Sequence, residues 1–333
     1  MSMIGKCQKQ ANVGPQRIEN ASSGYLRGRR IDRQVLLDRI IFIGYLIVFI
    51  PLMGKATGAA TVKPGAMGST PCAWSVPIEG QNHRLDVPAT IRLLRANHFT
   101  CYVQPIEEKS PMSFEDFKRL LPAAQASSIA IWPVLIPHTE GASLPYREDF
   151  VRWMRELAKF SLKYSVLRGV NIDDTDAGGN DRMFTRDYMC QIYRTKQKIN
   201  PKLLFIPTIY DLDSQEADRF AGCVDGVWLW WTNIEQNNGL RAFLKDSRLV
   251  ARKRFPVYAG VYAHSTSWHK QGSPAPKILE ESLKLGCTYS DGVIIWQLPL
   301  TDNSASNPML QAAREFTAGG ASPLAGKCGQ GLM

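Results

Sequence analysis

Short apolar runs alternate with amphipathic segments along the chain from Pro71 onward. Runs of about four to eight β-branched and aromatic residues are typical of strands, whereas apolar residues three and four positions apart are typical of helices. The pattern predicts eight strands: Cys72–Val76, Cys101–Ile106, Ile129–Ile136, Gly169–Asp173, Leu203–Tyr210, Gly226–Trp231, Val257–Tyr262 and Gly292–Leu298. Helical segments lie between these strands, so the chain is predicted to be a β/α repeat.

The predicted helices carry their own start and stop signals, since Ser, Asp and Asn cap helix beginnings and Gly or Pro end them. The predicted helices are Val87–Asn97 after the cap Asp86, a helix begun by Ser113 and Asp116, Tyr146–Tyr164, a helix through Tyr188 that stops at Asn200, Ile278–Leu285 ended by Gly286, and a last helix begun by Asn307.

Eight strand–helix repeats over about 250 residues match a (β/α)₈ TIM barrel, which places the fold in the α/β class. A doubly wound open sheet shows the same alternation, but no Gly-rich phosphate loop follows the first strand. We therefore expect a barrel domain over residues 71–318. The Gly-rich residues 319–333 are expected to form a flexible tail.

Residues 1–60 have a different character. A basic leader with a net charge of +5 precedes the apolar run Ile40–Met53, and small residues follow at Ala59 and Ala60. A run of this length fits a signal-peptide core better than a membrane span of about 20 residues. We expect export to a secreted or periplasmic location, with an uncleaved membrane anchor as the alternative. The leader supplies half of the chain's +10 charge, and no Lys/Arg run longer than the three residues Arg252–Arg254 follows it, so nucleic acid is not an expected partner.

Six of the seven cysteines follow the leader, and disulfides persist in the oxidising compartments that exported proteins reach. Cys72 and Cys101 each begin one of two neighbouring predicted strands, so they are candidates to pair, with buried free thiols as the alternative. No CxxC spacing occurs, which disfavours zinc and redox motifs.

Aromatic and acidic residues concentrate where the predicted strands end, and this end of a TIM barrel bears the chemistry. The predicted substrate-binding residues are Trp74, Gln104, His138, Asn171, Asp176, Tyr210, Trp230, Trp231, Tyr262, Trp296 and Gln297. Sugar rings stack on aromatic faces and their hydroxyls bond to Asp, Asn and Gln, so the expected partner is a carbohydrate. Trp132 and Trp228 can equally be barrel core, because they stand nearer the middle of their strands.

The carboxylates of the fourth and later strands are the predicted catalytic groups. Asp173 shares a strand face with Asn171, opposite Val170 and Ile172, and is predicted to face the barrel axis as nucleophile or base. Asp174 is expected to raise the pKa of a neighbour or to orient it. Asp211 and Glu235 are the predicted candidates for the proton donor, since glycoside hydrolysis uses two carboxyl groups.

Other barrel chemistries lack their residues in this sequence. The first strand has no H-x-H pair, no strand ends in lysine, and no G-x-S-x-G elbow occurs. The histidines are scattered over different loops, so neither a metal site nor a cofactor is expected.

The fourth strand resembles that of glycoside hydrolase barrels, and above all the chitinase-like family 18. Arg168-Gly169-Val170-Asn171-Ile172-Asp173-Asp174-Thr175 aligns with that family's D-G-x-D-x-D-x-E pattern. Asn171 and Asp173 fall on its last two Asp positions, whereas Thr175 occupies the position of its catalytic Glu. Gly292–Trp296 is similar to the family's eighth strand, whose Trp floors the sugar site. A more distant resemblance is to α-galactosidase-type barrels, which use an Asp nucleophile after strand four.

The resemblance and the residues together predict an exported glycoside hydrolase acting on an oligo- or polysaccharide. The alternatives are a non-catalytic carbohydrate-binding barrel that has lost its acid, and an accessory protein of an exopolysaccharide system. The sequence leaves open the sugar, the linkage, the stereochemical outcome and the oligomeric state.

Overall fold

The computed structural model describes residues 71–233, 237–264, 274–301 and 306–318 together with Cys328. Its strands are β1 Cys72–Trp74, β2 Cys101–Ile106, β3 Ala130–Leu135, β4 Gly169–Ile172, β5 Leu204–Phe205, β6 Thr208–Ile209, β7 Val227–Trp230, β8 Val257–Tyr262 and β9 Val293–Trp296. Its α-helices are α1 Val87–Ala96, α2 Phe114–Ala126, α3 Phe150–Lys163, α4 Arg186–Ile199, α5 Ser214–Phe220, α6 Leu240–Ala251, α7 Pro276–Tyr289 and α8 Pro308–Thr317.

All the described strands are parallel and belong to one sheet that curls into a barrel. β1 pairs with β2 on one side and with β9 on the other, with Trp74 opposite Trp296. The order β5-β4-β3-β2-β1-β9-β8-β7-β6 ends on two strands that are consecutive in sequence. Only Ile206 and Pro207 separate β5 from β6, so they are two halves of one barrel stave. Because proline has no N–H to donate, the ladder breaks at Pro207.

The sequence-predicted strands agree with this architecture. Every predicted strand contains an observed one, and Leu203–Tyr210 is the one that is divided. The caps agree as well, because the side chains of Asp86, Ser113 and Asn307 accept backbone N–H groups at the starts of α1, α2 and α8. The prediction that Gly286 ends a helix is wrong, since α7 continues to Tyr289. A Cβ at Gly286 would lie 2.8 Å from Val293 Cγ2, so this glycine allows the helix to pack closely on β9.

Alternation along the strands divides the core into two layers. One layer lies between the strands and the helices and includes Val170, Ile172 and Tyr102. The other fills the barrel interior with large aromatic rings, among them Trp132, Trp228, Trp230, Tyr258 and Tyr262.

Glycines on neighbouring strands make room for these interior rings. A Cβ at Gly169 would collide with the ring of Trp132, and a Cβ at Gly260 would collide with Trp230. The interior is therefore a packed aromatic core rather than a channel.

Three disulfides lie in the described part of the chain. Cys72–Cys101 joins the first residues of β1 and β2, which confirms the candidate pair from the sequence. Cys190–Cys223 joins α4 to the segment after α5, and Cys287–Cys328 joins α7 to the C-terminal segment.

The N-terminal leader 1–60 and the predicted tail 319–333, apart from Cys328, lie outside the described residues. Within the residues that are described, no helix has both the length and the apolar character to cross a membrane.

Candidate active site

Asp173 lies directly after β4, at the C-terminal end of the barrel. Its backbone N–H donates to the carbonyl of Leu135 on β3 (2.9 Å), which extends the strand pairing to the rim. The residues before it alternate, with Ile172 in the outer core and Asn171 bonded on the inner side to Thr208 of the neighbouring stave. Asp173 shares the inner face with Asn171, so its carboxyl group points into the barrel mouth and remains partly exposed.

Asp174 turns the chain sharply after Asp173. Its φ of 47° is left-handed, a conformation that Asp tolerates better than most non-glycine residues. The side chain is buried, and its Oδ1 accepts a 2.5 Å hydrogen bond from the hydroxyl of Tyr210. Its backbone carbonyl accepts a hydrogen bond from Nδ2 of Asn180 (2.9 Å). Both the backbone and the side chain of Asp174 are therefore held in place.

Glu140, in the loop after β3, was missed by the sequence analysis. Glu140 is exposed, but partial burial of its carboxyl group, the charge of Asp174 and a hydrogen bond between these two carboxyl groups raise the pKa of Glu140 to about 7, with a smaller contribution from Glu107. Asn180 also donates to Thr139 Oγ1 (2.8 Å), next to Glu140 in sequence. Because the same Asn180 amide binds Asp174, it joins the loop that carries Glu140 to the loop that carries Asp173.

The pKa values of two further carboxyl groups at this end of the barrel, Asp173 and Glu107, are also raised. Burial, and then the charges of Asp174 and Glu140, hold the pKa of Asp173 well above its ordinary value. Burial and the neighbouring Glu108 raise the pKa of Glu107. In the described part of the chain, no Lys or Arg forms an ion pair with Glu107, Glu140, Asp173 or Asp174. We refer to these four residues as the acidic rim.

A row of aromatic rings extends from the barrel interior to the mouth. Trp74 lies 5.8 Å from Trp230, Trp230 lies 5.3 Å from Tyr262, and Tyr262 lies 5.3 Å from Trp296, measured between ring centroids. Trp74, Trp230 and Tyr262 are buried, whereas Trp296 at the end of β9 is partly exposed. The adjacent Gln297 is also partly exposed and has a left-handed φ of 50°. The row therefore presents its accessible face at Trp296.

Two predicted substrate-binding residues face away from the mouth. Gln104 shares its strand face with Tyr102 and Ile106, which pack in the outer core, and it is fully buried there. Trp231 packs against Phe243 of α6 with ring centroids 5.3 Å apart. In both cases the side chain points outward because successive side chains of a strand alternate between its two faces, whatever their position along the strand. Trp132 and Trp228 belong to the fully buried interior, so they are core residues.

Asn171 and Asp176 act within the protein framework. Asn171 donates to the carbonyl of Ile206 (2.7 Å) and to Thr208 Oγ1 (3.1 Å), so its amide joins β4 to the divided stave. Asp176 Oδ2 accepts the backbone N–H groups of Tyr210 (2.8 Å) and Asp211 (3.3 Å). These bonds connect the loop after β4 to the end of β6.

The remaining predicted site residues lie at the edge of the mouth or outside the described part. Asp211 is exposed, and its Oδ1 accepts the N–H of the following Leu212 (2.8 Å). His138 is exposed, with Nδ1 at 3.9 Å from a carboxylate oxygen of Glu148. Glu235 falls outside the described residues. Asp211, one of the two predicted proton donors, and Glu140 are both exposed, and Glu140 has the raised pKa that an acid requires.

Thr175, at the position of the family 18 catalytic Glu, is fully buried. Its Oγ1 donates to the carbonyl of Thr208 (2.7 Å), and its backbone N–H donates to the same oxygen (3.1 Å). This residue fastens β4 to β6 and is not available to a substrate. Among the described residues, no group of three or more His, Cys, Asp and Glu side chains is arranged to hold a metal ion.

Comparisons with known proteins give likeness of fold. The chain is similar to α-L-fucosidase isoenzyme 2 from Paenibacillus thiaminolyticus, with TM-score 0.52 and 13% identity over 75% of this chain and 49% of that one. It thus spans about half of the fucosidase's length. It is also similar to a family 27 β-L-arabinopyranosidase from Geobacillus stearothermophilus, with TM-score 0.51 and 9% identity over 73% and 74% of the two chains.

The catalytic domain of Thermobifida fusca endoglucanase Cel5A gives a TM-score of 0.52 and 12% identity over 69% of this chain and 79% of that one. No protein-family model and no curated protein sequence matches the chain. The chain therefore has a TIM-barrel-like fold similar to that of several glycoside hydrolases.

Proposed function

We propose that this protein is an exported glycoside hydrolase that cleaves O-glycosyl bonds of an oligo- or polysaccharide at the C-terminal end of its barrel. The observation that carries the proposal is the acidic rim, whose Asp173 and Asp174 lie close enough to Tyr262 to raise its pKa, while the ring of Tyr262 packs 5.3 Å from that of Trp296. Carboxyl groups with raised pKa, placed where a TIM barrel carries its chemistry, are the groups that glycoside hydrolysis uses. The fold shared with the fucosidase, the arabinopyranosidase and the endoglucanase supports the proposal.

Glu140 is the proton donor in this proposal. With a pKa of about 7, its carboxyl group is protonated in mildly acidic solution and can give its proton to the departing glycosidic oxygen. This assignment replaces Asp211, whose Oδ1 is bonded to its own loop.

Asp173 is the nucleophile or the base. It shares the inner face of its strand with Asn171 and must be ionised to act, either by attacking the anomeric carbon or by taking a proton from water. Because its pKa is raised, activity should increase as the pH rises from acid and Asp173 loses its proton. Asp174 contributes the negative charge that keeps the neighbouring carboxyl groups protonated to higher pH.

Export is part of the proposal. The basic leader and the apolar run Ile40–Met53 have the order of a signal sequence. The three disulfides support a destination in an oxidising compartment.

The test is hydrolysis of a panel of neutral polysaccharides and aryl glycosides by the purified protein. We expect at least one substrate to be cleaved, and the Asp173→Asn variant to lose about 10³-fold or more in kcat while still binding that substrate. If Asp173→Asn cleaved the substrate as fast as wild type, Asp173 would not be the nucleophile or the base.

A carbohydrate-binding barrel without catalysis is the second candidate. It is favoured by Thr175, which stands at the family 18 acid position and bonds to the backbone of Thr208. Tight sugar binding by both wild type and Asp173→Asn, with no cleavage of any substrate on the panel, would support this candidate instead.

A further inference from the structure

The outer face of α6 and the turn after it concentrate the positive charge of the chain that follows the leader. Residues 240–254 contain one acidic residue, Asp246, and six basic ones: Arg241, Lys245, Arg248, Arg252, Lys253 and Arg254. The chain's +10 charge less the +5 of the leader leaves +5, and this segment alone supplies that amount. Five of the six basic side chains are exposed, and Arg248 is partly exposed. We refer to these six residues as the basic face.

The stability of the helix does not explain the first two of these cations. Arg241 is the second residue of α6, and Lys245 follows it by four positions. The helix dipole disfavours positive charge near the N-terminus, and like charges four positions apart on a helix repel each other. No acidic residue in the first turn offsets either effect. Because the two cations cost the helix stability, their positions favour a contact outside the fold.

Most of the basic face has no acidic partner. Arg248 lies 3.2 Å from Asp291, and Arg254 lies 2.8 Å from Asp218. In the part of the chain that the structure describes, the other four cations form no ion pair: Arg241, Lys245, Arg252 and Lys253. Their charges are therefore available to an anionic partner.

Apolar and aromatic side chains lie among these cations. Leu249 is 66% exposed, and it lies four positions after Lys245 and three before Arg252, so it lies beside both on the helix surface. Tyr289 of α7 is partly exposed, and the charged groups of Arg241 and Lys245 lie 5.2 and 5.1 Å from its ring centroid. Exposed leucine and tyrosine beside Lys and Arg are typical of helices that lie at the surface of a membrane.

We propose that the basic face docks the protein on an anionic lipid surface. Lys and Arg attract the anionic headgroups, and the apolar side chains enter the boundary between headgroups and acyl chains. A soluble polyanion would pair with the same cations but would leave Leu249 in water, so the exposed leucine favours lipid as the partner. The proposal does not depend on catalysis, because no residue of the basic face belongs to the acidic rim.

The test measures the binding of the full chain to vesicles of phosphatidylcholine, alone or with about one third of anionic phosphatidylglycerol. The test variant replaces the four cations without ion pairs: Arg241→Gln, Lys245→Gln, Arg252→Gln and Lys253→Gln. The matched control makes the same change at four exposed cations of α3, α4 and the turn after α4: Arg155→Gln, Arg194→Gln, Lys198→Gln and Lys202→Gln. The leader is the same in all three proteins, so a difference between the two variants reports on the basic face.

We expect wild type to prefer the anionic vesicles. Because each Lys or Arg near an anionic membrane strengthens binding by about fivefold, the test variant should bind these vesicles at least about 100-fold more weakly, and the control less than about fivefold. Equal losses in the two variants would show that net charge rather than the basic face decides binding, and would overturn the proposal. Equal binding of wild type to both kinds of vesicle would also overturn it.

A pair of leucine variants distinguishes lipid from a soluble polyanion. Leu162 on α3 is 65% exposed, which makes Leu162→Ala a matched control for Leu249→Ala. We expect Leu249→Ala to weaken binding to the anionic vesicles by about threefold to tenfold, since less apolar surface enters the membrane, and Leu162→Ala to have no effect. If the two variants bound vesicles equally well, and wild type bound heparin more tightly than vesicles, the partner would be an acidic polysaccharide and the lipid proposal would be wrong.

Discussion

Both ends of the barrel carry buried carboxyl groups, but their neighbours differ. At the N-terminal end, Asp225 lies 2.6 Å from Lys196 Nζ and accepts the N–H of Phe205, while Asp291 accepts Arg248 and the N–H of Val257. At the C-terminal end, the acidic rim has carboxyl groups as its neighbours.

Burial raises the pKa of Asp225 and Asp291 as it raises that of Asp173. A raised pKa therefore does not by itself distinguish a functional carboxyl group from a structural one. The charges next to each carboxyl group do distinguish the two kinds. Lys196 and Arg248 oppose the shift at the N-terminal end, whereas Asp174 reinforces it for Asp173 and Glu140. The N-terminal end is arranged to stabilise the fold, whereas the C-terminal end keeps carboxyl groups protonated to a higher pH than usual.

Matched Asp→Asn substitutions at the two ends should separate these roles. Asp225→Asn leaves the fully buried Lys196 without its counter-charge, so we expect a loss of about 3–5 kcal/mol in the free energy of unfolding. Asp173→Asn removes a charge that its neighbours repel, so the unfolding free energy should stay the same or increase. Urea denaturation of both variants measures the two changes.

The double variant Asp225→Asn/Lys196→Met is the control for this pair. Removing both charges should restore much of the stability that Asp225→Asn loses, because no unpaired buried charge remains. If Asp173→Asn proved as destabilising as Asp225→Asn, the acidic rim would be structural and the contrast between the ends would be lost.

Sequence patterns predicted the barrel well because its signals are local. Strand runs, caps and the start of β4 depend on residues that are close in the chain, and they agree with the structure at all eight staves. The break at Pro207 and the continuation of α7 through Gly286 were missed. The break depends on a single missing N–H inside an apolar run, and the continuation depends on contact with Val293 on another element.

The candidate site was less predictable because loops and side-chain direction decide it. Glu140 follows β3 by five residues, in a loop where the sequence analysis considered only His138. The signal was nevertheless present, since Glu140 is a carboxylate in a loop after a barrel strand. Trp231 and Gln104 were predicted by position near a strand end, but alternation turns both outward.

Substitution of one tryptophan at the mouth and of one in the interior should also have different effects on sugar binding and on stability. Trp296 is partly exposed, so Trp296→Ala should weaken sugar binding by about 0.5–1.5 kcal/mol and leave the fold largely intact. Trp132 is fully buried in the barrel, so Trp132→Ala should cost about 3–5 kcal/mol of stability. Melting curves and sugar titrations of both variants check this, and a large loss of stability with unchanged affinity in Trp296→Ala would reject its role as a platform.

The central claim is that carboxyl groups of the acidic rim perform acid and base catalysis, and the pH dependence of kcat/KM tests it most directly. Wild type should give a bell-shaped profile. Activity should rise as Asp173 ionises above its ordinary pKa of 3.8 and fall as Glu140 loses its proton near pH 7. In Glu140→Gln, assayed on the same glycoside as wild type, the lower remaining activity should show no fall near pH 7 while the acid limb remains. A Glu140→Gln profile that keeps the wild-type fall near pH 7 would contradict the account.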